Sequence, residues 1–197
     1  SARVRPAADP NTFNGVQENN MTLPDQECPV IYLKAGEVHV SHEPALILTV
    51  LGSCLSVTMF HRRLGVGAIC HGILPQCRNK TDCTGDCLEG TKYVECSIQR
   101  MAKHFRGLGA LSHEIEVKIF GGADMFGGGW KGKTGISVGM QNAEKALEII
   151  EQEGLRVSSK DLGGAQGRKI FFNMATGEVL LKRLQPNAVL PDKGARA

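Results

Sequence analysis

The feature that most restricts the fold is a pair of apolar alternations joined by a short basic turn. Leu55, Val57 and Met59 alternate with Ser56 and Thr58; after His61-Arg62-Arg63-Leu64 the chain resumes with Val66, Ala68 and Cys70 alternating with Gly67 and Ile69. A period of two marks a strand with one buried face, so the segment reads as an antiparallel β-hairpin. If Phe60 pairs with Gly65 across the turn, Leu55, Val57 and Met59 face Cys70, Ala68 and Val66, and these apolar side chains share one face. The other face carries Ser56 opposite Ile69, Thr58 opposite Gly67 and, at its far end, Cys54 directly across from His71. Directly opposed residues hold their Cβ atoms about 4.5–5.5 Å apart, so this register brings a thiol to an imidazole.

The rest of the chain mixes both periodicities. Short runs at Val30 to Leu33, Glu37 to Ser41 and Ala45 to Leu51, separated by Gly36 and Pro44, predict strands. Val94, Ile98, Met101 and Phe105 recur at helical spacing before Gly107 and Gly109, and Ala143, Leu147 and Ile150 share a face on a second helix that Gly154 ends. Ile115, Val117 and Ile119 alternate as a strand, and Lys169 to Met174 with Glu178 to Leu184 predict a hairpin through Ala175-Thr176-Gly177. Helices beside antiparallel hairpins give an α+β class, a single-domain layered sheet and helix sandwich. Residues 1–28, rich in Pro, Asn and Gln, read as a mobile arm. Residues 29–184 read as the domain, with a cysteine-containing insertion at 76–92, and 185–197 as a tail.

Composition narrows the function classes. The 23 basic and 20 acidic residues are interspersed, giving a formal charge of +3, which argues against a nucleic-acid partner. No apolar run approaches the roughly 18 residues of a membrane span, so no membrane insertion is expected. Seven cysteines leave at least one thiol unpaired. Free thiols suit a reducing compartment, and with no secretory signal legible the expected location is cytoplasmic. Cys77, Cys83, Cys87 and Cys96 follow a C-x5-C-x3-C-x8-C spacing without the paired knuckles of common zinc sites; reduced thiols or a labile disulfide are expected there rather than a metal. Residues 127–134 match the phosphate-binding pattern G-x-x-x-x-G-K-[ST] letter for letter. That pattern must run straight into a helix, whereas Gly135 to Gly139 reads as extended or irregular, so nucleotide binding is not expected.

Two readings of Cys54 and His71 stand side by side. They are a small buried hydrophobe and a satisfied core histidine, or they are a reaction centre in which an imidazolium lowers the thiol pKa and stands ready to protonate a leaving group. Gly52 and Ser53 permit close backbone approach, making an amide N–H beside Cys54 a candidate oxyanion donor.

The chain resembles the chemoreceptor glutamine deamidases, the CheD family, in five ordered blocks. They are Leu51-Gly52-Ser53-Cys54; His71-Gly72-Ile73-Leu74-Pro75; Lys118-Ile119-Phe120-Gly121-Gly122-Ala123-Asp124-Met125-Phe126; Gln141-Asn142; and Asp161-Leu162-Gly163-Gly164 with Gly167-Arg168-Lys169. The resemblance implies hydrolysis of glutamine side chains on methyl-accepting chemotaxis receptors to glutamate with release of ammonia. It also implies a layered fold similar to that of bacterial toxin deamidases and a cysteine nucleophile needing no cofactor. By the same resemblance Cys54 is the nucleophile, His71 its acid–base partner and Thr49 the third member, five positions before the cysteine where some members place it six before. A CheC-type phosphatase is the partner implied. The alternative is a non-enzymatic chemotaxis adaptor, a role that would not require the Cys54–His71 pair.

Overall fold

The hairpin forms, with its turn one residue further along than expected. A computed structural model describes residues 28–77, 90–124 and 135–184. Strands β4 (Leu55–His61) and β5 (Val66–Cys70) pair antiparallel with Thr58 opposite Ile69, Met59 opposite Ala68, Phe60 opposite Gly67 and His61 opposite Val66. The register expected above, Phe60 with Gly65, is therefore corrected by a slip of two. Gly65 adopts φ +61°, a left-handed conformation that suits a turn residue. The His61 ring closes the turn by accepting the Leu64 N–H at Nδ1 (3.2 Å) while Nε2 meets Glu114 at 3.2 Å. A slip of two leaves every side chain on its own face, so Leu55, Val57, Met59, Val66, Ala68 and Cys70 still form one apolar surface.

Two sheets and a helical layer are built around that hairpin. The first sheet has the order β1-β3-β8-β9, from β1 (Val30–Tyr32), β3 (Leu46–Leu51), β8 (Arg168–Asn173) and β9 (Val179–Arg183). The second has the order β2-β5-β4-β6-β7, with β2 (Val38–Ser41), β6 (Glu116–Gly121) and β7 (Val157–Leu162). Helices α1 (Val94–Gly107) and α2 (Val138–Gln152) cover one face of the second sheet, where Val94, Ile98, Met101 and Phe105 pack on the hairpin's apolar surface. The first sheet covers the other face, through Ile47, Leu51, Phe60, Ile69, Ile170 and Phe172. All of β4 and β5 is buried: the small polar positions Ser56 and Thr58 face the first sheet, not water.

The predicted elements at Val30, Val38, Leu46, Val94, Glu116, Val138, Arg168 and Val179 are present. Strand β7 was not anticipated. Its sequence, Val-Ser-Ser-Lys-Asp-Leu, has no apolar alternation because it is an edge strand, paired parallel to β6 alone and exposed over its middle. Helix α2 buries Gly139, Asn142, Ala146, Ile149 and Ile150, so its core stripe is rotated from the expected Ala143–Leu147–Ile150 face and Leu147 is 36% exposed. Helix α2 also begins at Val138, four residues past Thr134 and within the stretch read as irregular; Gly135 to Ser137 are non-helical, and the Ser137 side chain caps the helix by accepting the Met140 N–H. The expected arm apart from Cys28, residues 78–89 of the insertion with Cys83 and Cys87, the phosphate-binding pattern at 127–134 and the tail lie outside the described residues. Among the described residues no helix is long and apolar enough to cross a membrane, and no group of three or more His, Cys, Asp or Glu side chains is arranged to hold a metal.

Phe172 is fully buried between the sheets, whereas Tyr32 on an edge strand is 70% exposed. Phe172→Ala is expected to lower the unfolding free energy by about 3–5 kcal/mol and Tyr32→Ala by less than about 0.5 kcal/mol; urea titration of both variants measures the contrast.

Candidate active site

Thr49 lies on β3, on the side facing the second sheet, and His71 directly follows β5. Both are buried, at 4% and 5% exposure. Thr49 Oγ1 is 2.7 Å from His71 Nδ1 and donates a 2.9 Å hydrogen bond to the Leu33 carbonyl. A hydroxyl has one proton. Since a carbonyl oxygen only accepts, that proton goes to Leu33, and His71 Nδ1–H must donate to Thr49. Nε2 is left as the basic atom of the ring. The main chain of His71 is held as well: its N–H donates to the Glu37 carbonyl (2.9 Å) and its carbonyl accepts from Gly36 N–H (2.7 Å).

Cys54 precedes β4 and packs, half-buried, against the inter-sheet core. Leu55 and Gly72 exchange hydrogen bonds of 2.9 and 2.8 Å. In that register Ser56 lies opposite His71 and Cys54 opposite Ile73. Cys54 and His71 thus share a face as diagonal neighbours, not as the directly opposed pair expected from the sequence. Diagonal positions are about 7–8 Å apart at the backbone, within reach of an aromatic ring.

The loop before Cys54 is held by its carbonyls. Gly52 O accepts from Ala123 N–H (2.9 Å), Cys54 O from Gly122 N–H (2.8 Å) and Ser53 O from Asn142 Nδ2 (3.0 Å). Among the described residues the N–H groups of Gly52, Ser53 and Cys54 enter no main-chain hydrogen bond with another residue; that of Cys54 lies against its own sulfur. The Gly122-to-Cys54 hydrogen bond is available because Gly121, at φ +119°, brings its Cα so close that a Cβ would lie 2.3 Å from the Cys54 carbonyl oxygen; at Gly139 of α2 a Cβ would lie 2.5 Å from Gly122 O. Behind them, Gly163 N–H donates to Gly121 O (3.0 Å) and Asp124 N–H to Gly164 O (2.8 Å). Fully buried Arg168 ties that outer loop together through the Asp161 carboxylate (2.5 Å) and the Gly163 and Gln166 carbonyls.

The buttressing residues Gly121, Gly122, Gly139 and Asn142 were not singled out individually as site residues by sequence reasoning. A usable signal existed: Asn142 sits on the buried stripe of α2, where a polar residue must find polar partners.

Burial pushes the Cys54 thiol above its ordinary range, with its own amide partly offsetting this. Burial likewise holds His71 below its ordinary value, opposed by the Leu33 carbonyl and the Glu37 charge. Both shifts favour the uncharged forms, thiol and neutral imidazole. For a histidine whose folded pKa is depressed, the unfolded chain binds the proton first, so stability is full above the unfolded value and is lost as pH falls through the folded one. His71 is accordingly expected to contribute a fall in the urea midpoint as pH drops below 6.5, and His71→Gln to show a shallower fall over the same range.

The family model described as CheD chemotactic sensory transduction matches residues 73–183. Over 164 residues the chain is 43% identical to a protein of Geobacter sulfurreducens named probable chemoreceptor glutamine deamidase CheD 2, spanning 83% of this chain and 96% of that one. It is 35% identical over 156 residues to the probable chemoreceptor glutamine deamidase CheD of Maridesulfovibrio salexigens, spanning 79% and 92% of the two chains. It is 33% identical over 153 residues to the protein of the same name from Methanococcus maripaludis, spanning 78% and 94%. With its layered sheets and helices, the sequence blocks that build this site and kinship over most of its length, the chain belongs to the CheD family.

Proposed function

We propose that the protein hydrolyses glutamine side chains of chemoreceptors to glutamate, with Cys54 as nucleophile, His71 as acid–base and Thr49 as the residue that orients His71. The observation that carries this reading is the Leu33–Thr49–His71 relay, in which a buried hydroxyl fixes the imidazole tautomer with Nε2 free to act as base. The names of the relatives supply the substrate class.

In the proposed sequence the glutamine carboxamide enters and His71 Nε2 takes the Cys54 thiol proton as sulfur attacks the side-chain carbonyl carbon. The carbon–oxygen double bond opens to an oxyanion beside the N–H groups of the loop from Gly52 to Cys54. Oxyanion collapse breaks the carbon–nitrogen bond, and ammonia leaves with the proton from His71. Water then attacks the thioester while giving a proton to His71. Carbon–sulfur cleavage releases glutamate and returns that proton to the thiol. A resting neutral pair fits this order, because the base must be unprotonated when the substrate arrives. The cytoplasm as the site of reaction and a CheC-type phosphatase as partner belong to the same proposal.

Receptor cytoplasmic fragments incubated with the protein are expected to show glutamine-to-glutamate conversion by peptide mass spectrometry. Cys54→Ala and His71→Ala are expected to abolish it, and Thr49→Val to slow it about 10²-fold by releasing the ring. Undiminished conversion by Cys54→Ala would rule the mechanism out.

A further inference from the structure

Asn142 is fully buried on the first turns of α2, and its single amide nitrogen makes two contacts of 3.0 Å, one to the Ser53 carbonyl and one to the Ile73 carbonyl. Both neighbours are acceptors, so the amide group must turn its NH2 toward them. Its Oδ1 is left without a partner among the described residues. One acceptor belongs to the residue before the nucleophile; the other lies two residues past His71. The two segments are paired directly through Leu55 and Gly72, and Asn142 bridges them a second time, at the open end of the hairpin where Cys54 would otherwise be held on one side only. The close approach of Gly139 to Gly122 brings α2 near enough for so short a side chain to reach both.

We infer that Asn142 is a positioning residue: its carboxamide clamps the Cys54 loop to the segment that follows β5 and carries His71, and so sets the diagonal separation across which their proton passes. This rests on the roles proposed above for Cys54 and His71. The clamp acts without touching substrate, so its loss should lower kcat and leave KM little changed. It also holds the half-buried thiol in place, so its loss should bring the Cys54 titration back toward the ordinary cysteine range.

The test uses the full chain with Asn142→Leu, which keeps the bulk and removes both donors, and Asn142→Ser, which keeps one donor on a shorter side chain. Two readouts are taken on protein verified as folded by its thermal transition: kcat and KM on receptor fragments, and the rate of Cys54 alkylation by iodoacetamide against pH. The expected result for Asn142→Leu is a kcat lower by about 10²-fold, a KM close to wild type and faster alkylation at neutral pH, with Asn142→Ser between it and wild type. Turnover retained within a few-fold in Asn142→Leu overturns the inference, as does a lost turnover with an unchanged alkylation profile. Failure of both variants to fold also overturns it, by assigning Asn142 to the fold alone. A wild-type protein that converts no receptor glutamine would defeat the proposed substrate while the alkylation profile still reads the clamp.

Discussion

A hydroxyl group has one proton to give, and at Thr49 the Leu33 carbonyl takes it. The assignment of His71 follows from that allocation: Nδ1 must carry hydrogen, Nε2 must not, and the ring is held against a buried oxygen donated by the other sheet. The contact is a joint between layers. Thr49 belongs to the four-stranded sheet, His71 follows the second strand of the hairpin in the five-stranded sheet, and the inter-sheet core sets how far apart they stand. Packing and proposed chemistry therefore share one constraint, since a change in sheet spacing would move the imidazole.

The opposite side of the site depends on close backbone approach. Gly121, Gly122 and Gly139 let a strand end, a loop and a helix start come together where any Cβ would collide. The dividend is directional: the carbonyls from Gly52 to Cys54 are drawn backward onto Ala123, Asn142 and Gly122. A peptide unit whose carbonyl points one way presents its N–H the other way. A loop held like this suits the oxyanion role proposed for it, since donors fixed in advance contribute most to an oxyanion. Arg168 works one layer further out, turning a guanidinium that is costly to bury into a tie for the loop behind Gly121.

Burial also sets the resting charge. The pair is held neutral chiefly by desolvation, which raises the thiol and lowers the imidazole together. This suits the proposed mechanism, in which the thiolate forms only in concert with attack.

Much of this was legible in the residues. Alternation in the hairpin assigned each side chain to a face, because successive residues of a strand point to opposite sides, and the apolar face of Leu55, Val57, Met59, Val66, Ala68 and Cys70 formed as read. The helical stripe of Val94, Ile98, Met101 and Phe105 was equally plain. The hairpin register was not, because a slip of two preserves every face and leaves the apolar pattern unchanged; only the left-handed Gly65 and the His61 ring selected the turn. Strand β7 escaped for a related reason, its residues being shaped by an edge position that exists only once β6 is in place. The sequence by itself determined which side chains are polar, which faces they occupy and which glycines lack a Cβ. Only the tertiary structure decided that Thr49 meets His71 and that Asn142 spans Ser53 and Ile73, because those contacts join positions 22, 89 and 69 residues apart, across separate layers whose spacing no local pattern encodes.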